Sequence, residues 1–234
     1  MDARLLDFYF DYLSPYAYFS WRRLQSLCQQ HSVTLRPHPV VFGKLLDHWG
    51  QRGPAEIAPK KASLYRYCYR YATLNGFVFD PPRCHPYNPL PSLRLSLPQV
   101  CGDRQIEVIS ALFDAGWTEG ADLGSVDRLQ AILDRAGFDG AAMLAAIETD
   151  AVKQQLRDET EQAIGHGVFG VPTFIVDQQL FWGNDQVDHL ELYLQGDDPL
   201  DVDAVEAMLA RPRGIDRKVM KDDNRRLQHK NVKR

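Results

Sequence analysis

The sequence has no pair of cysteines at CxxC spacing, no apolar run long enough to cross a membrane, and no internal repeat or low-complexity stretch. Each absence removes a class of function. Without CxxC there is no adjacent dithiol to cycle between thiol and disulfide. The four cysteines, Cys28, Cys68, Cys84 and Cys101, stand singly. Three fall in helical or apolar context, so buried free thiols are expected. Cys84-His85 finds no second pair at zinc spacing, which argues against a metal site. A membrane span needs roughly 18 apolar residues, and no stretch reaches that. The acid at position 2, followed at once by strand pattern, lacks the basic start and cleavage site of a secretory signal. A cytoplasmic protein with no membrane contact is the expectation. Charge of one sign is also scarce, since a net charge of −4 gives no reason to expect nucleic acid as a partner. The asymmetry lies at the C-terminus. Residues 213–234 carry nine Lys/Arg against three Asp/Glu, leaving −10 for the rest. This basic tail, residues 211–234, has no sustained apolar stripe and is expected to be mobile and outside catalysis.

What is present is a core-forming composition, 44% hydrophobic and 11% aromatic over 234 residues. Leu5 to Phe10 reads as a strand. Pro15 to about Gln30 reads as a helix, with Ala17, Tyr18, Trp21, Leu24 and Cys28 at helical spacing. Val33 to Val41 returns as a second strand whose prolines suggest an edge or an early end. A helical stretch then closes at Asn75-Gly76, and a proline-rich segment opens a helix around Ser92. Further helices are predicted near 104–116, 125–136, 139–147 and 149–164. Thr173 to Val176, a turn at Asp177-Gln178, and Gln179 to Trp182 form a hairpin signal. A helix from about Asn184-Asp185 ends before Gly196. The order βαβ, helices, ββα predicts an α/β, thioredoxin-like fold with a large all-helical insertion between the second and third strands. Residues 1–45 and 168–210 would form the thioredoxin-like domain, with 46–167 as the inserted subdomain.

Three stretches carry candidate chemistry. In "FDYLSPYAYF", Ser14-Pro15 is a favoured helix start, serine as N-cap and proline at the first helical position. The same place offers free N–H groups and a helix dipole that stabilise an anion, so Ser14 reads either as a cap or as a donor to a bound thiolate. In "GVFGVPTFIV", Val171-Pro172 precedes a strand after a glycine-rich turn, and reads as a loop proline or as a peptide-binding edge. In "FWGNDQVDHL", Asn184 and Asp185 cap a helix, or Asp185 meets a ligand's ammonium group.

Taken with "GQRGPAEIAPKK" and "HPYNPLPSLRL", these stretches resemble the 2-hydroxychromene-2-carboxylate isomerases. That family is related to kappa-class glutathione transferases within the DsbA-like thioredoxin superfamily. The resemblance implies glutathione as cofactor, a small aromatic substrate and a homodimer. It implies that Ser14 faces the glutathione sulfur and that Val171, before a cis Pro172, pairs with the cysteinyl backbone. Asn184 and Asp185 would hold the γ-glutamyl end, with Gln51 and Lys61 assisting. Gln51 stands where relatives have asparagine, and Gln186 where many have arginine. With serine at position 14, the nucleophile must be the cofactor's thiol, adding reversibly to a conjugated double bond. Substrate-side candidates are Trp49, Tyr65, His85, Tyr87, Asn88 and Arg94. Two alternatives stay open: a kappa-like glutathione transferase, and a non-catalytic thioredoxin-fold module that binds a peptide.

Overall fold

Period-two alternation in the first strand decides where the sheet lies. In β1 (Arg4–Phe10), Leu6, Phe8 and Phe10 are fully buried on one face, and Leu5, Asp7 and Tyr9 take the other. The structure, a computed structural model, describes residues 4–214. The expectation of a mobile tail therefore lies outside the described residues from position 215 onward.

α1 (Pro15–Gln30) crosses over from β1 to β2 (Val33–Pro39), which pairs parallel to β1 with Leu6 opposite Leu35. β3 (Thr173–Val176) pairs antiparallel to β1 on its other side, and β4 (Gln179–Trp182) pairs antiparallel to β3. The strand order is β2-β1-β3-β4. β2 is thus an edge, where Pro37 and Pro39 cost no ladder donors. Eight helices lie between β2 and β3: α2 (Phe42–Trp49), α3 (Ala58–Asn75), α4 (Leu90–Leu95), α5 (Pro98–Cys101), α6 (Gln105–Thr118), α7 (Val126–Arg135), α8 (Gly140–Ala146) and α9 (Asp150–Gly165). After β4 comes α10 (Val187–Gln195). The fold is the expected one, a thioredoxin-like sheet with a helical insertion.

The insertion shares its core with the sheet. Phe8 stacks on Phe10, Trp21 and Phe174 at ring separations of 5.4, 5.7 and 5.5 Å. Phe113 of α6 packs on Phe10 and Tyr12, and the Trp117 indole donates to the Tyr12 carbonyl at 3.0 Å. Gln105, at the start of α6, donates to the carbonyls of Pro37 and Ser96. A backbone carbonyl on the proline-bearing edge therefore finds its partner in the insertion. Chain contacts divide the molecule into two compact units, Met1–Asp198 and Pro199–Arg234. The second contributes α11 (Val202–Leu209), whose N-cap Asp201 accepts from the Ala204 N–H at 2.9 Å.

The sequence reading missed three helices, α2, α5 and α11. It also ran β2 two residues too far, because Pro39 ends the strand and Val41 already caps α2. All four cysteines are free, but only Cys28, Cys68 and Cys101 are buried. Cys84 is exposed on the proline-rich loop, where the chain lacks the regular structure that would cover it. Among the described residues no helix is long and apolar enough to cross a membrane.

On the second face of the sheet, α9 is clamped by charge. His38 Nε2 donates to Asp7 at 2.8 Å and its Nδ1 to Glu159 at 3.0 Å, so both ring nitrogens carry protons. Burial opposes that charge, but the hydrogen bonds and negative charges of Asp7 and Glu159 outweigh it and raise the pKa to about 9. A pKa raised above the unfolded value gives stability that is full below about pH 6.5 and is lost as pH rises through about 9. We expect denaturant unfolding to show a loss on the order of 1–3 kcal/mol between pH 6.5 and 9.5. The variant His38→Gln should flatten that slope.

Candidate functional site

The site begins with a carboxyl group. Asp11 leaves β1 fully buried, and its two oxygens accept from the Leu13 N–H at 2.9 Å and the Phe42 N–H at 3.0 Å. Its carbonyl accepts from the Ser14 N–H at 3.0 Å. One side chain thus fixes both the turn into α1 and the first residue of α2. Burial pushes its pKa up to about 7, the two N–H donors opposing.

Ser14 then caps α1 from an extended conformation, φ −97° and ψ 111°. Its Oγ accepts from the Ala17 N–H at 3.2 Å and donates to the Val171 carbonyl at 3.2 Å. The Val171–Pro172 bond is cis. So the structure brings Ser14 and the loop before β3 together across 157 residues. The Pro172 carbonyl accepts from the Gly183 N–H at 2.9 Å, whereas the Val171 N–H has no protein partner among the described residues. Gly170 is needed here, because a Cβ would lie 2.5 Å from the Trp182 indole nitrogen.

Two lobes of one cleft meet at Tyr16, Phe42, Leu46, Pro54 and Val171. The larger, about 630 Å³, is lined by polar groups that include Gln51, Arg52, Lys60, Asn184, Asp185 and Gln186. The smaller, about 260 Å³, is walled mainly by apolar side chains, with Ser14 and His85 among its lining. Asn184 is 2% exposed. Its Oδ1 accepts from the Ser20 hydroxyl at 3.1 Å, while its Nδ2 is buried with no partner. Asp185 stands exposed beside it on the 3₁₀ turn Asn184–Gln186. Gly183 precedes them at φ 106°, and a Cβ there would strike the Asp185 carboxylate. Glycine is thus needed both for its backbone conformation and for the space the acid occupies.

Of the residues singled out from the sequence, Ser14, Gln51, Val171, Asn184 and Asp185 line the cleft, with Pro172 directly behind Val171. Lys61 lines neither lobe. Its ammonium donates to the His85 carbonyl at 2.8 Å, and Lys60, one residue earlier, faces the polar lobe instead. Four substrate candidates are likewise absent from the lining because their polar atoms serve the fold. The Trp49 indole donates to the Val168 carbonyl, and the Tyr87 hydroxyl to the Tyr12 carbonyl. Asn88 accepts from the Leu90 N–H at the start of α4, and Arg94 lies 3.9 Å from Glu148. Tyr65 packs against Phe79 and His85. Only His85 of that set faces the apolar lobe. The sequence reading overlooked Asp11, Tyr16, Phe42, Arg52, Lys60 and Trp182. Tyr16 and Asp11 flank Ser14 closely enough to have been found, but Phe42 belongs to the helix it missed. Among the described residues no group of three or more His, Cys, Asp or Glu is placed to hold a metal.

A thioredoxin-like sheet with its first helix N-terminus facing a cis-proline loop, and a serine at that helix start, defines the class of protein. The chain belongs to the DSBA-like thioredoxin domain family, which it matches over residues 5–195. It is 29% identical to a 2-hydroxychromene-2-carboxylate isomerase of Sphingobium xenophagum, over 82% of this chain and 98% of that protein. To rat glutathione S-transferase kappa 1 it is 26% identical, over 83% of this chain and 92% of the relative. A solved 2-hydroxychromene-2-carboxylate isomerase superposes with a TM-score of 0.76 at 25% identity, covering 88% of this chain and all of that one. The resemblance seen in the sequence motifs holds over most of the chain.

Removing the Asp11 carboxyl leaves two buried N–H groups without acceptors, each worth about 1–3 kcal/mol. Asp11→Ala should therefore lower the unfolding free energy by about 2–6 kcal/mol. Asp11→Asn, which keeps one acceptor oxygen, should lose roughly half as much. Urea titration of both variants measures the difference.

Proposed function

We propose that this chain is a glutathione-dependent isomerase. It would interconvert 2-hydroxychromene-2-carboxylate and its ring-opened hydroxybenzylidenepyruvate form. The observation that carries the reading is Ser14, a hydroxyl at a helix N-terminus that lines the apolar lobe and is bonded to Val171 on the wall the two lobes share.

The residues fit the cofactor. Glutathione is a tripeptide with two carboxylates, one ammonium and one thiol. The unpartnered Nδ2 of Asn184 suits a carboxylate, and the exposed Asp185 beside it suits the ammonium. The Val171 N–H, free of protein partners, suits a peptide carbonyl as an added strand would. Arg52 and Lys60 supply positive charge for the second carboxylate. With Gln186 in place of the arginine common in relatives, these two take over the cationic role. Bound in this way, glutathione supplies a thiolate nucleophile for reversible addition to a conjugated double bond.

The chain's own groups do the rest. The α1 N-terminus favours negative charge at Ser14, and its hydroxyl proton can turn from the Val171 carbonyl toward a sulfur anion. The apolar lobe takes an aromatic ring and keeps water from the reacting carbons. No CxxC dithiol is present, so disulfide exchange is not part of this reading.

Retention on immobilised glutathione, followed by assays with 2-hydroxychromene-2-carboxylate and with a chlorodinitrobenzene electrophile, tests it. Activity on the second compound alone would make the chain a kappa-like transferase, and failure to bind glutathione would leave a peptide-binding module. Three variants refine the site. Ser14→Ala should cost about 0.5–2 kcal/mol of stability through the lost cap. It should also cost about 10–100-fold in turnover, and raise the thiol pKa read from ultraviolet absorbance of the glutathione complex. Lys60→Ala should weaken glutathione binding about tenfold, as loss of a charge-assisted hydrogen bond does. Lys61→Ala should leave that affinity within about twofold, because Lys61 is engaged with the His85 carbonyl. Calorimetry of the two lysine variants decides between them.

A further inference from the structure

The apolar lobe is lined by a polar side chain, His85, that the proposed chemistry has not used. Unlike the Glu56 carboxylate, held by the Gly53 N–H at 2.6 Å, it keeps one polar atom without a partner. His85 Nε2 lies 2.8 Å from the Leu13 carbonyl, which can only accept, so Nε2 carries the ring proton. Nδ1 is then a bare lone pair, and it is buried with no partner. Burial above all, joined by the charge of Lys61, lowers the imidazole's pKa from its ordinary value, with the Leu13 carbonyl opposing. That lowering, with Nδ1 facing no acceptor, favours the neutral ring. Its other close neighbours are the rings of Tyr65, Tyr87 and Trp117, all edge-on and none an anion. A lone acceptor buried on a side chain that lines the apolar lobe calls for a donor on a ligand that reaches it, because leaving it unmade costs about 1–3 kcal/mol.

We propose that His85 is a substrate-contacting residue whose Nδ1 accepts the phenol hydroxyl of the ring-opened substrate and moves its proton during ring closure. This rests on the isomerase reading above. In the step, the phenol O–H breaks and its proton passes to Nδ1. The oxygen's freed electron pair forms the C–O bond to the ketone carbon. The carbonyl π pair moves onto the ketone oxygen, which takes the proton back from Nδ1 and becomes the hemiketal hydroxyl. No oxidant or further reactant is needed, and the reverse sequence opens the ring. The bond from Nε2 to Leu13, the residue before Ser14, fixes the ring's tautomer and holds it beside the cofactor-facing serine.

The test uses a pair of unreactive probes, 2-hydroxycinnamate and cinnamate, which differ by the one hydroxyl. Binding to the full chain is read from tryptophan fluorescence. The wild type should bind the hydroxylated probe at least about tenfold more tightly, the worth of one hydrogen bond in a closed site. His85→Leu, which offers no acceptor, should lose that preference while the thiol pKa of the glutathione complex stays unchanged. Its turnover of 2-hydroxychromene-2-carboxylate should fall about 100-fold. Should the variant not fold, nitrogen-15 chemical shifts of wild-type His85 decide. The Nδ1 signal should start at the unprotonated position and move with 2-hydroxycinnamate but not with cinnamate. The proposal is overturned by no hydroxyl preference in the wild type, or by a preference that survives in His85→Leu. It is overturned too by a shifted thiol pKa in the variant, which would make His85 a base for the cofactor instead. A wild type that ignores 2-hydroxychromene-2-carboxylate would sink the isomerase reading, but the hydroxyl preference would still be measurable.

Discussion

The cleft depends on one buried carboxyl group. Asp11 binds the N–H of Leu13 with one oxygen and that of Phe42 with the other, at the point where β1 ends. Those two backbones belong to the two walls of the cleft, the start of α1 and the start of α2. Three bonds from one residue, counting its carbonyl to Ser14, set the distance between the walls before any ligand is present. A buried carboxyl whose acceptors are used so fully costs less than its burial suggests, and it fixes geometry better than an apolar side chain would.

Unsatisfied groups in this molecule are not scattered. Four buried side-chain atoms lack partners among the described residues, and two of them, Asn184 Nδ2 and His85 Nδ1, belong to residues lining the cleft. The Val171 N–H adds a backbone donor at the wall the lobes share. The other two, on Arg94 and Gln155, lie away from it. Native interiors pair nearly all such atoms, so their gathering at one cleft implies a ligand with matching polarity. The polar lobe presents donors and an acid, as a zwitterionic peptide needs. The apolar lobe, mainly apolar in its wall, includes one residue with an unpartnered acceptor, as an aromatic hydroxyl needs.

How far the sequence could be read follows from what periodicity encodes. β1, α1, the hairpin and α10 were legible because alternation and helical spacing bury one face each. Ser14, Val171 and Asn184-Asp185 were legible because caps and an X-Pro before a strand are local features. The lysine was not. Neighbouring helix residues point about 100° apart; of this pair Lys60 lines the cleft and Lys61 does not, and motif spacing does not reveal the rotation of α3 about its axis. The polar residues of the proline-rich loop misled for another reason. Proline removes backbone donors and regular partners. Side chains there, such as Asn88, are then taken up by local turns, and the Tyr87 hydroxyl by a distant backbone carbonyl. His85 is the exception because one nitrogen suffices for its structural bond.

On the proposed reading, the serine at position 14 lets capping and chemistry coexist. The cap uses an oxygen lone pair, which accepts from the Ala17 N–H, whereas the bond to Val171 uses the hydroxyl proton. These are different parts of the same group. Rotating the proton from the Val171 carbonyl to an incoming anion leaves the cap intact, so a ligand need not disturb the helix to gain a donor. The Val171 carbonyl released by that rotation belongs to a residue that lines both lobes, and can accept from a peptide ligand's N–H in exchange. The free site thus holds its donor and its acceptor paired with each other, satisfied until a ligand that offers both an anion and a peptide N–H replaces the pair.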